Sequence, residues 1–234
     1  MPISLNNVSL EWPNGSPCFS DLNATFSSHL TGLIGDNGSG KTSLIRVILG
    51  ELQPSTGSVE RPSKIAYLPQ DLGLQPDTTV SDVFGITEII EAINAIEGGQ
   101  FNPELFELIG DRWDAAEETR AVLSAHGLEL NLARPLSTLS GGEAVRVALA
   151  ALMADNPDFI VMDEPTNNLD AEAKAQLIRS LSKSTVPAIV VSHDRDLLDS
   201  VDGIAELHDG KLRLFPGNYS VYREALANEQ EAAM

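Results

Sequence analysis

Gly35-Asp36-Asn37-Gly38-Ser39-Gly40-Lys41-Thr42 stands between the apolar run Leu30–Ile34 and the helical pattern Ser43–Leu49. No other feature restricts the fold of this chain as tightly. A short apolar run without polar alternation reads as a strand buried on both faces. A glycine loop that leads at once into a helix aims backbone N–H groups and the positive end of the helix at one point. The run matches the phosphate-binding loop in full. Its glycines let the backbone converge on phosphate oxygens, Lys41 can reach the β- and γ-phosphates, and the Thr42 hydroxyl can ligate Mg2+. Asn37, Gly38, Ser39, Gly40 and Ser43 complete the cradle. The bland alternative, a glycine-rich turn without ligand, does not account for the strand on one side and the helix on the other.

Two more buried runs follow, Phe159-Ile160-Val161-Met162 and Ala188-Ile189-Val190-Val191, which predicts an α/β fold on a parallel sheet. The first run ends at Asp163-Glu164. An aspartate there can hold Mg2+ through its water shell, and a glutamate can polarise an attacking water. Two acids at a strand end are otherwise a solvated pair, and it is the phosphate loop that favours the catalytic reading. His193 follows the second run, after the strand next in sequence to the Asp163 strand. A lone histidine is more often structural, and its position there points to function. Gln70, after Tyr67-Leu68-Pro69, is either a site residue or a solvated glutamine. Trp12 either stacks on a base or fills the core.

Leu139-Ser140-Gly141-Gly142-Glu143 reads as a capping box with Ser140 at the N-cap. An ordinary capped helix would not carry two glycines in its first turn, at a cost of about 1 kcal/mol each. Close approach of a phosphate to Ser140, Gly141 and Gly142 would explain them.

Composition narrows the class. The chain has 234 residues, 42% of them hydrophobic, enough for one large α/β domain or two small ones. No apolar stretch reaches the roughly 18 residues of a membrane span, so direct membrane insertion is not expected. No signal peptide is expected at the N-terminus. A single cysteine fits a cytoplasmic protein. The net charge of −19 repels nucleic acid and anionic lipid. Ile3–Trp12 and Lys64–Leu68 read as strands, and Ile204–Phe215 as a hairpin turning at Asp209-Gly210. Ile86, Ile89, Ile90, Ile93 and Ile96 share a helix face, and Trp113, Ala116, Val122 and Leu123 suggest another helix stopped near Gly127. From Tyr219 the chain reads as a polar helix. His29, His126, His208 and Cys18 have no partners at metal or nucleophile spacing and read as structural.

With these residues in this order, the chain resembles the ATP-binding cassette (ABC) superfamily over nearly its whole length. The adenine-stacking aromatic (Trp12), Walker A loop (Gly35–Thr42), Q-loop glutamine (Gln70), signature (Leu139–Glu143), Walker B strand (Phe159–Glu164), D-loop (Leu169-Asp170) and switch histidine (His193) stand in family order. Within it the chain looks most like the first cassette of the ABC-F branch. The asparagine pair in Pro165-Thr166-Asn167-Asn168-Leu169-Asp170, the run Ser192–Asp199, and Gly217-Asn218-Tyr219-Ser220-Val221-Tyr222 carry that likeness. The resemblance implies a P-loop α/β domain with an antiparallel β subdomain and a helical signature subdomain. Residues 1–218 would form the single nucleotide-binding domain, with the helical subdomain at about 71–155. Residues 219–234 would begin a helical inter-domain linker.

It further implies ATP and Mg2+ as ligands. ATP would lie between the Walker A loop of one cassette and the signature of another, the partner being in the same full-length polypeptide or a second copy. Asp163, Thr42 and Gln70 would hold the metal, Glu164 would be the general base, His193 would hold the γ-phosphate and the water, and Asp170 would link the two sites. ABC-F proteins act on ribosomes. The alternative is the ATPase subunit of a membrane transporter. A DNA-repair ATPase would interrupt the cassette with a coiled coil or zinc module, and the sequence has neither. The departures from ABC-F are a single cassette, no basic linker, and little room between Gln70 and Leu139 for a long arm. Glu143 stands where many transporters have glutamine.

Overall fold

The computed structural model describes residues 2–70, 77–167 and 169–232. Asn168, half of the asparagine pair, lies outside them. The chain forms two compact units, residues 1–70 with 157–234, and residues 71–156. The first unit opens with β1 (Ile3–Glu11), β2 (Pro17–Phe26), β3 (Leu30–Ile34), α1 (Lys41–Leu49), β4 (Thr56–Glu60) and β5 (Ile65–Leu68). The second holds α2 (Val80–Val83), α3 (Thr87–Glu97), α4 (Pro103–Ile109), α5 (Ala115–Ala125) and α6 (Gly141–Ala154). The chain then returns to the first with β6 (Phe159–Asp163), α7 (Ala171–Lys183), β7 (Ala188–Val191), α8 (Arg195–Leu198), β8 (Gly203–His208), β9 (Lys211–Pro216) and α9 (Tyr219–Ala232).

In the first unit a six-stranded sheet runs in the order β5-β6-β7-β3-β8-β9, and an antiparallel sheet runs β2-β1-β4. The large sheet is parallel except at β9. Every residue of β6 and β7 is buried, as the unbroken apolar runs require. Their side chains divide by the two-residue pleat. Phe159, Val161, Ile189 and Val191 share one core cluster with Leu44, Ile45 and Ile48 of α1 and with Leu5, Phe19 and Phe26 of the small sheet. Ile160, Met162 and Val190 are equally buried but lie outside that cluster, as alternate residues of a strand must. The β8–β9 hairpin turns through Asp209 (φ 47) and Gly210 (φ 69), the left-handed pair that a type I′ turn needs. α9 is tied down at its start, where Asp199 Oδ1 accepts from the Ser220 N–H at 2.8 Å.

The second unit has its own core, in which Ile86, Ile89, Ile109, Leu123, Leu136 and Val147 are buried together. The isoleucine face is α3, with Ile86 at its N-cap. Trp113 departs from the sequence reading. It precedes α5, because Asp114 is the N-cap, and it lies 42% exposed with its ring 5.9 Å from that of Phe106. The capping box of α6 is formed: Ser140 Oγ accepts from the Glu143 N–H at 3.2 Å and Glu143 Oε2 from the Ser140 N–H at 2.9 Å. Ser140→Ala is therefore expected to cost about 1 kcal/mol of stability, read as a lower urea midpoint for this unit. No loss would mean that other groups serve the end of α6.

Several elements escaped the sequence reading. β2 is bulged, with register shifts against β1 and a left-handed Asp21 (φ 53), and its apolar alternation is broken there. α4 was announced only by Asn102 at the N-cap and Pro103 at the first helical position, a signal that seven residues do not amplify.

Candidate active site

Parallel register brings the site together. Leu33 of β3 and Asp163 of β6 both pair with Val191 of β7, so the loops after these three strands leave the same carboxyl edge side by side. In open α/β sheets that edge is where ligands bind. The loop after β3 depends on glycine at two points. A Cβ at Gly35 (φ 154) would strike the Leu207 carbonyl oxygen. At Gly40 (φ 101), the N-cap of α1, a Cβ would stand 2.8 Å from Cys18 Sγ. Cys18 thus packs beneath the loop, as a structural residue would. Burial pushes its thiol pKa up, and a hydrogen bond with Ser43 works against that.

Lys41 Nζ donates to the Gly35 carbonyl at 2.7 Å and to the Asp36 carbonyl at 3.0 Å. Burial holds its pKa below the usual lysine value, against the pull of Glu164, Asp163 and Asp36. Asp163 ends β6 only 8% exposed, and burial raises its pKa against the attraction of Lys41. Glu164 occupies the left-handed region (φ 48), a conformation costing on the order of 1 kcal/mol for a residue with a side chain. Its N–H donates to the Val191 carbonyl at 2.8 Å, which locks it to the end of β7. Burial raises its carboxyl pKa too. The His193 charge is the largest opposing influence, followed by the His193 backbone N–H. His193 Nε2 lies 3.4 Å from Glu164 Oε1.

These groups line one groove of about 280 Å³ with Trp12, Asn37, Gly38, Gly40, Thr42, Ser43 and Gln70. Trp12 is 43% exposed there, so it does not fill the core. Ser39 Oγ is buried beside the loop without a hydrogen-bond partner, as expected of a group waiting for a ligand or water. Among the described residues no three His, Cys, Asp or Glu form a metal cage. A hydroxyl, an amide and a carboxylate instead open into the groove at Thr42, Gln70 and Asp163. That oxygen-donor set suits Mg2+, which takes few protein ligands and completes its shell with water and phosphate.

Other predicted residues have separate places. Ser140, Gly141 and Gly142 start α6 in the second unit. Asp170 caps α7, its Oδ1 accepting from the Ala173 N–H at 2.8 Å. No local pattern points to the side chains that support the His193 segment. Thr166 Oγ1 and Ser192 Oγ, both buried, lie 3.3 Å apart, and Lys174 of α7 pairs with Asp194. Only the fold brings these pairs together.

Comparison with known proteins identifies the family. The family described as ABC transporter matches residues 20–167. ABC transporter F family member 5 of Arabidopsis thaliana is 32% identical over 218 residues, 82% of this chain and 32% of that protein. The energy-dependent translational throttle protein EttA of Escherichia coli (strain K12) is 35% identical over 230 residues, 86% of this chain and 41% of that protein. The tylosin resistance ATP-binding protein TlrC of Streptomyces fradiae is 34% identical over 224 residues, 85% of this chain and 41% of that protein. The chain spans between about a third and a half of the length of such relatives. Among solved structures, a nucleotide-free ATP-binding cassette from an ABC transporter superposes with a TM-score of 0.74 at 20% identity, covering 95% of this chain and 94% of that one. The dimeric MJ0796 bacterial transporter cassette superposes with a TM-score of 0.68 at 24% identity, covering 92% of this chain and 98% of that one. The chain belongs to the ABC family of ATPase cassettes, and its curated relatives include members of the F branch.

Proposed function

We propose that this cassette binds ATP in the groove at the carboxyl edge of the sheet and hydrolyses it when a second cassette closes over the nucleotide. The convergence of Lys41, Thr42, Asp163, Glu164 and His193 on one groove carries the reading. On binding, Lys41 leaves the Gly35 and Asp36 carbonyls for the β- and γ-phosphates. Backbone N–H groups of the loop and of α1 hold the phosphate oxygens. Trp12 stacks on the adenine. Thr42, Asp163 and Gln70 would hold Mg2+, which when bound offsets charge on the transferred phosphoryl group. Glu164 takes the proton of the attacking water, and His193 steadies that water and the γ-phosphate. Ser140, Gly141 and Gly142 serve the nucleotide held by the other cassette, and Asp170 links the two sites. Two helix N-termini then face one γ-phosphate from opposite sides.

The second cassette belongs to the same full-length polypeptide or to another copy of the chain, with α9 as the start of a linker in the first case. The limited share of each relative that this chain spans supports the first. Among the relatives, the translational throttle protein EttA supports a role in translation, in keeping with the resemblance to the F branch and its action on cytoplasmic ribosomes. The charge of −19 gives no support to RNA contact by this cassette itself.

Lys41→Ala is expected to weaken ATP binding about 10- to 100-fold, the worth of roughly 1.5–3 kcal/mol in charge-assisted hydrogen bonds. Calorimetry showing unchanged affinity would remove Lys41 from the site. For the cellular target, full-length Glu164→Gln protein is expected to sediment with ribosomes in ATP. Fractionation with a membrane partner instead would establish the transporter reading.

A further inference from the structure

The segment that carries His193 is held from both sides by side chains outside the groove. Before it, the buried Ser192 Oγ lies 3.3 Å from Thr166 Oγ1, on the loop that leaves Glu164. After it, the Asp194 N–H donates to the same Ser192 Oγ at 3.1 Å. Asp194 caps α8, its Oδ1 accepting from the Leu197 N–H at 3.1 Å, while its Oδ2 pairs with Lys174 of α7. Asp196 Oδ2 lies 3.8 Å from the same ammonium. The Lys174 and Asp194 side chains are only 24% and 19% exposed, so the pair is partly shielded from water. Burial alone would raise the Asp194 carboxyl pKa, and the Lys174 ammonium with the Leu197 N–H outweighs it and holds it low.

Lys174 also stands one helical turn from Asp170, to whose carbonyl its own N–H donates at 3.0 Å. One end of α7 thus carries the D-loop aspartate and, a turn later, the cation that grips the histidine segment. A shift of this end of α7 would carry Lys174, and with it the grip on Asp194.

We propose that Lys174 is a positioning residue of the ATPase site: through Asp194 it fixes the main chain that carries His193, and it ties the placement of His193 to the Asp170 end of α7. Lys174 does not line the groove. The coupling to a second cassette rests on the function proposed above, whereas the positioning of His193 does not.

The chain has four histidines, so the His193 imidazole resonance can be assigned by its loss in His193→Gln. In Lys174→Met, with ATP affinity and circular dichroism unchanged, the His193 signal is expected to shift or broaden while those of His29, His126 and His208 stay. Lys174→Arg should restore it, and Lys174→Gln serves if the methionine variant does not fold. In protein paired with its second cassette, Lys174→Met should lower kcat roughly 10- to 100-fold at unchanged KM, the scale of a misplaced catalytic group. An unmoved His193 signal in the folded variant, or a KM that rises as kcat falls, would overturn the proposal. If the unaltered protein hydrolyses no ATP, the functional reading fails, and the imidazole spectrum still decides the role of Lys174.

Discussion

Glu164→Gln is expected to cut ATP turnover by about 100- to 10,000-fold, the usual contribution of a positioned general base, while ATP affinity stays near that of the unaltered protein. Glutamine keeps the size of the side chain and the N–H bond to the Val191 carbonyl, so the groove is preserved and only the proton acceptor is lost. The variant should therefore accumulate in the ATP-bound, closed pair. The pH profile gives an independent check. Burial raises the Glu164 pKa, with His193 and Lys41 offsetting only part of the shift. A base works deprotonated, so the rate should rise with pH through that raised pKa and fall as pH drops below it. The glutamine variant should lack this limb. Multiple-turnover assays across pH are the measurement, and near-normal turnover in the variant would place the base elsewhere.

Phe159→Ala is expected to lower the unfolding free energy of the first unit by about 3–5 kcal/mol. Phe159 is fully buried at the start of β6 and pairs with Ile65 of β5. It packs in the cluster that joins α1 and the small sheet to the parallel sheet. Truncation leaves a cavity bounded by three elements that cannot all move inward. Urea unfolding followed by circular dichroism reads the loss, and a change under about 1 kcal/mol would mean that the cluster closes around the gap. Since Phe159 is remote from the groove, ATP affinity of the folded fraction should not change.

Much of the site was legible because its parts are local. The phosphate loop needs left-handed glycines between a strand and a helix, and Gly35, Gly38 and Gly40 each have positive φ. The Ser140–Glu143 box, the Asp209-Gly210 turn and the buried run ending at Asp163 are likewise set within a few residues by capping, turn chemistry and hydrophobic pattern. Trp113 was misread because an apolar residue beside a helix start has the same spacing as one inside it. The bulge at Asp21 hid β2 by breaking the two-residue period on which strand reading depends.

The α/β class, the phosphate loop, the paired acids at the end of a buried strand and the capped glycine start of α6 are all encoded locally. All of these follow from short-range sterics and periodicity. Packing of the whole sheet puts β7 between β3 and β6, which sets His193 against Glu164 and both beside Lys41. Tertiary packing likewise brings Lys174 to Asp194 and Thr166 to Ser192. Strand order and helix placement come from hydrogen-bond ladders and packing between residues far apart in the chain, and no local pattern encodes those contacts.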